Sequence, residues 1–159
     1  KKLNIMSYGV CLNEEDIASQ IEEYLRKLNP DILVITGHDA YYKRKGSMQD
    51  VNSYKNTKNF IEAVKSARHY EKDQDKLIIV AGACQSNYEE LIKSGATFAS
   101  SPKRINIHAL DPAIIASGIA LSDRNQIIDL VPLLEKTRYG SEGIGGVVTK
   151  GCMFVGYPR

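Results

Sequence analysis

Two residues of this sequence have the types and the spacing for nucleophilic chemistry: His38 and Cys84. A cysteine attacks a carbonyl carbon as its thiolate, and a base or an imidazolium within hydrogen-bond reach is needed to generate and hold that thiolate. Each residue follows a short apolar run and a glycine. Ile32-Leu33-Val34-Ile35 leads into Thr36-Gly37-His38, and Leu77-Ile78-Ile79-Val80-Ala81 leads into Gly82-Ala83-Cys84. Gly37 and Gly82 permit sharp turns and close backbone approach beside the two reactive residues.

Order and spacing narrow the chemistry. His38 lies 46 positions ahead of Cys84. The caspase signature Q-A-C-[RQG]-G carries its histidine roughly 50 residues upstream. Gly82-Ala83-Cys84-Gln85-Ser86 shares the central A-C-Q and departs at Gly82 and Ser86. Asp39 stands where caspase-like peptidases have a glycine whose N–H helps to bind the oxyanion. Gly37, Asp39 and Gln85 are therefore the expected neighbours of the reacting atoms, with the Cys84 N–H and one N–H of the His38 turn as oxyanion donors. Asp39, Asp50 and Asp111 are candidates to orient His38 or to pair with a basic substrate side chain, Asp50 and Asp111 being the pocket candidates. Cys11 and Cys152 read as small buried apolar residues, His69 as solvated and His108 as structural. Lys43-Arg44-Lys45 reads as a solvated loop, or as one that borders the active site or contains a processing site.

Other elements must place this pair. A strand is expected over residues 5–10. A helix capped by Asn13 follows, with Ile17, Ile21, Tyr24, Leu25 and Leu28 on its apolar face. The two continuous apolar runs suit strands covered on both faces. Between them lies a helix with Phe60, Ile61, Val64 and Ala67 on one side. After Cys84 come a short helix holding Tyr88, Leu91 and Ile92, with Gly95 at its end, and strands over 96–100 and 105–107. A helix opens at Asp111-Pro112 with Asp111 as its cap. Another spans 126–136, with Pro132 imposing a kink or a late start. Six glycines from Gly140 to Gly156 point to loops and a hairpin. Such alternation predicts an α/β three-layer sandwich around a mostly parallel sheet, caspase/gingipain-like in plan. Function gathers at the carboxyl ends of strands in such sheets, where both His38 and Cys84 fall.

Composition fits one domain over residues 1–159. Hydrophobic residues are 43% and charged residues 25%, and 21 basic against 19 acidic residues leave a formal charge of +2. That balance provides no field for nucleic acid. No apolar run reaches the ~20 residues of a membrane span. Three cysteines without paired spacing suit a reducing compartment rather than a disulfide framework, and no metal-ligand spacing occurs. The chain enters a strand-like stretch almost at once and without an initiator methionine, as a fragment of a longer protein would.

Longer blocks carry a more specific likeness. Residues 31–40 (DILVITGHDA), 81–86 (AGACQS), Gly95-Ala96, 98–102 (FASSP) and 106–112 (NIHALDP) together resemble the YabG family of sporulation cysteine proteases of endospore-forming bacteria. The resemblance is weaker over the first 29 residues. It implies His38 and Cys84 as the catalytic pair, whose mechanism needs no cofactor or metal. It implies cleavage after arginine, self-cleavage, and protein substrates of the spore coat and cortex. The place of action would be the mother-cell cytoplasm, and an N-terminal region would precede the domain. Two other readings compete. One is an amidotransferase-like hydrolase, in which Gly82-x-Cys84-x-Ser86 is a nucleophile elbow. The other is a non-catalytic, flavodoxin-like binding module of the spore coat.

Overall fold

The computed structural model describes residues 3–156. Its centre is a four-stranded sheet in the order β1-β2-β3-β4, formed by β1 (Ile32–Ile35), β2 (Ile78–Ala81), β3 (Phe98–Ser100) and β4 (Ile144–Gly146). β1 pairs parallel with β2, and β2 with β3, while β4 closes the sheet antiparallel to β3. The sheet is thus mixed.

Alternation along the strands divides the core in two. Leu33, Ile35, Ile79, Ala81 and Ala99 pack on one face against α1 (Ile17–Leu28), α2 (Thr57–Tyr70) and α3 (Tyr88–Lys93). Ile32, Ile78, Val80, Phe98 and Ile144 pack on the other against α4 (Asp111–Ala120) and α5 (Leu130–Leu134). β2 is buried along its whole length, as its unbroken apolar run requires. Helices on both sides of a sheet make this an α/β fold.

Several expected boundaries move. Residues 4–13 form no strand. Their backbone finds no ladder partner, and Met6, Tyr8 and Val10 remain exposed, so no burial favours an extended element. α1 starts later than Asn13, at Ile17 with Asp16 at the cap position, while Asn13 O accepts from Asp16 N in the turn before it. Residues 105–107 also make no strand. Ser101 and Arg104 take positive φ values of 62° and 55°, which break the extended path. The Ile105 carbonyl turns to the Gln85 N–H instead.

Residues 126–128 are diverted into contacts with residues 149–150, so α5 begins only after Asp129, whose side chain accepts from Val131 N. Pro132 then lies in the first turn, where its missing N–H breaks no helical bond. Asp111 occupies the first helical position rather than the cap, yet its carboxylate reaches back to His108 N at 3.0 Å. In place of a hairpin, the glycine-rich tail supplies β4. A Cβ on Gly146 would lie 2.3 Å from the Phe98 ring, so β4 approaches β3 across that ring only because the side chain is absent. Cys11 is exposed and Cys152 half-buried, so neither is the fully buried residue expected; burial pushes the Cys152 thiol up to about 11.

Candidate active site

His38 and Cys84 are delivered by neighbouring strands. Ile35 stands opposite Ala81 in the parallel register, and each reactive residue lies three positions beyond its member of that pair. The Gly82 N–H still bonds to Ile35 O at 3.0 Å, so the two chains leave the sheet together.

The turn at Cys84 is fixed from several directions. Gly82 takes φ +104° with Leu91 and Ser100 behind it, and Gln85 takes φ +58°. Ala83 N donates to Ser86 Oγ at 2.9 Å. Gln85 N donates to Ser101 Oγ and to Ile105 O. Its side chain accepts from Tyr41 N and donates to Asn106 Oδ1, both at 3.1 Å, which ties the loop after His38 to the Cys84 turn. Asn87 then caps α3, accepting from Glu90 N. Cys84 itself is half-buried, and its thiol faces Ile107 O at 3.7 Å. Among the described residues the Cys84 backbone N–H has no acceptor.

Asp39 joins the two turns from below. It is 8% exposed, and its Oδ2 accepts from Ser86 Oγ at 2.8 Å and from Thr57 Oγ1. Its Oδ1 accepts from Ala40 N and Asn56 N. Four donors satisfy this buried carboxylate without a cationic partner. Its carboxylate therefore meets the Cys84 turn through Ser86 and does not touch the imidazole. Among the described residues the Asp39 N–H has no acceptor.

The His38 side chain is 92% exposed. Its neighbour is Glu14, in the turn before α1. Glu14 Oε1 accepts from His38 N at 2.9 Å and lies 3.6 Å from Nδ1. That backbone bond holds the Glu14 carboxyl below the usual carboxylate range. A Cβ on Gly37 would meet Glu14 Oε1 at 2.7 Å. Sequence reasoning misses Glu14, because a contact across 24 positions leaves no periodic trace. An acid just ahead of a helix was its sole signal.

The remaining candidates are bound up in local structure away from the imidazole. Asp50 accepts from Asn52 through Oδ1 and caps a short 3-10 turn, Val51–Ser53. Asp111 is 1% exposed, with one oxygen on His108 N and the other on Arg138 N. His108 is exposed, one residue beyond the carbonyl that faces Cys84, and its Nδ1 accepts from Leu110 N. His69 lies on the surface with Nδ1 3.1 Å from Glu22. Lys43, Arg44 and Lys45 are all exposed. Among the described residues no three His, Cys, Asp or Glu side chains are grouped to hold a metal ion, and no helix is long and apolar enough to cross a membrane.

Comparison with known proteins agrees with the block likeness. The family model described as YabG peptidase U57 matches residues 1–158. The sporulation-specific protease YabG of Bacillus subtilis (strain 168) is 46% identical over 158 residues, which is 99% of this chain and 54% of that protein. The chain thus spans about half the length of the curated relative it matches. No solved structure matches. With a family match over nearly its whole length, an identity well above chance and a pair of potentially reactive residues on adjacent strand ends, the chain belongs to the YabG peptidase U57 family.

Proposed function

We propose that this chain is the peptidase domain of a sporulation protease and that it cuts peptide bonds with a Cys84–His38 dyad. The observation that carries the proposal is the parallel register of β1 and β2, with both residues three positions past the Ile35–Ala81 pair. Two reactive groups that leave adjacent, rigid strands from paired positions support a dyad. Family membership and the peptidase name of the relative support the same reaction class.

In this mechanism His38 accepts the Cys84 thiol proton, and the sulfur attacks the scissile carbonyl carbon. The tetrahedral oxyanion is received by the N–H groups of Cys84 and Asp39, which have no acceptor among the described residues. The His38 N–H is committed to Glu14 and takes no part. Collapse breaks the C–N bond, His38 protonates the leaving amine, and a thioester remains. Water, deprotonated by His38, hydrolyses it and regenerates the thiol. The plan is caspase-like, and no metal or organic cofactor enters it.

Cleavage after arginine, spore-coat and cortex-associated substrates, self-cleavage and action in the mother-cell cytoplasm complete the proposal, all from the family likeness. The exposed Lys43-Arg44-Lys45 segment supports self-cleavage, because it offers basic residues on a surface loop whose Tyr41 is bonded to Gln85.

The test is a fluorogenic panel of arginyl, lysyl and aspartyl peptides, with Cys84→Ala, His38→Ala and His108→Ala variants. Arginyl cleavage by the wild type and by His108→Ala, abolished in Cys84→Ala and His38→Ala, is the expected result. Loss in His108→Ala with activity retained in His38→Ala would instead favour the arrangement with a downstream histidine.

A further inference from the structure

An imidazole that is 92% exposed on a turn has several rotamers open to it, and general-base chemistry uses only those that face the thiol. Something must narrow the choice and favour the imidazolium as it forms. Among the described residues, Glu14 is the only acidic group paired with His38.

We infer that Glu14 is the positioning residue for His38, an inference that rests on the dyad reading above. Its Oε1 lies 2.9 Å from the backbone N and 3.6 Å from Nδ1 of the same histidine, so one oxygen faces both ends of the residue. The second distance is within ion-pair range and outside hydrogen-bond contact. Catalytic hydrogen bonds are often this loose before substrate binds. A modest ring rotation that brought Nδ1–H onto the carboxylate would leave Nε2 as the base facing Cys84.

Glu14 is itself well anchored. It stands three residues ahead of α1, whose Ile21 and Leu25 are buried against α2 in the core. Its side chain is 26% exposed, enough shielding for the charge to act at short range while it remains ionised. The absence of a side chain at Gly37 is what admits it, since a Cβ there would meet Oε1 at 2.7 Å. By contrast, the Asp39 carboxylate is consumed by four donors on its own side of the turn.

The contact has two separable parts. Acceptance from the His38 N–H is structural, and an amide oxygen can perform it. The charge facing Nδ1 is not, and an amide removes it. Glu14→Gln therefore isolates the positioning role, and Glu14→Asp returns the charge on a shorter arm.

The experiment measures kcat and KM in the full chain for wild type, Glu14→Gln, Glu14→Asp, His38→Ala and Cys84→Ala on one arginyl peptide. In parallel, the rate of iodoacetamide alkylation of Cys84 at neutral pH is read on its own tryptic peptide, and folding is checked by melting temperature. Glu14→Gln is expected to keep the wild-type melting temperature and KM. It should lose about 10- to 100-fold in kcat and slow the alkylation of Cys84. Glu14→Asp should recover part of both. Wild-type kcat and alkylation in Glu14→Gln, with His38→Ala and Cys84→Ala inactive, would overturn the inference and leave the dyad standing. Activity retained in His38→Ala would overturn both.

Discussion

Cys84 and His38 differ in how they are held. The cysteine sits in a turn braced by Gly82, Ser86, Gln85 and Ser101, whereas the histidine projects into solvent from a turn whose backbone alone is fixed. Asp39 makes the two turns one unit. Removing its carboxylate would take the acceptor from the hydroxyl protons of Ser86 and Thr57 and from the Ala40 and Asn56 N–H groups. Unpaired buried groups cost more than the net worth of the bonds they lose. Asp39→Ala is expected to destabilise the fold by on the order of 3 kcal/mol. Chemical denaturation checks this, and a midpoint equal to wild type would exclude the bracing role.

The elements that position the pair were more legible than its surroundings. β2 announces itself as a continuous apolar run, because a strand covered on both faces has no polar side to display. β1 has the same pattern but lies at the sheet edge and leaves Val34 exposed. The amphipathic faces of α1 and α2 are equally plain in the spacing of Ile21 and Leu25, and of Phe60, Val64 and Ala67. β4 is not legible, since Ile144-Gly145-Gly146 has the composition of a loop and becomes a strand only beneath Tyr88 and Phe98. Residues 5–10 err the other way: they have strand composition and no partner strand. At the site, the order and spacing of His38 and Cys84 can be read from the chain, while Glu14 and the Asp39–Ser86 bond depend on contacts across 24 and 47 positions. A prediction belongs at the β2–α3 junction. Gly82→Ala puts a Cβ at φ +104° and 2.8 Å from Leu91, and is expected to cost about 1–3 kcal/mol. Thermal unfolding with a Tm unchanged from wild type would contradict it.

Across the molecule, one cation, Arg104, is held in a largely enclosed position between elements. Its side chain is 9% exposed and bonds to Tyr54 Oη at 2.6 Å, to the carbonyls of Ser101 and Pro102, and to Glu89. It therefore clamps the loop after β3 to α3 and to the residue after the Val51–Ser53 turn. Burial is the largest single influence and pushes the Glu89 carboxyl up. The Arg104 hydrogen bond, a backbone hydrogen bond and the charges of Arg104 and Lys93 together outweigh it and hold the group below its ordinary 4.5. A carboxyl depressed in the folded state contributes stability that is complete above its unfolded value and is lost as pH falls through the folded one. Melting temperatures of wild type and Glu89→Gln should therefore differ by a constant amount at neutral pH, and the gap should shrink as pH falls below the ordinary 4.5. A gap that persists undiminished in acid would show that the pair contributes through packing rather than charge.

The Ser101 hydroxyl, which accepts from Gln85 N–H behind Cys84, belongs to a residue whose own N–H bonds to Gly143 O, and Val147 N bonds to Thr97 O on the same border. On the ribosome, His38, Cys84 and the first three strands all emerge before those partners do. Until residues 143–147 are made, the outer border of β3 is open and Ser101 lacks its tether. A nascent chain with the proposed dyad thus carries both reactive groups around an unfinished nucleophile turn. The last bonds behind Cys84 therefore wait on residues 143–147, made long after the turn that they complete.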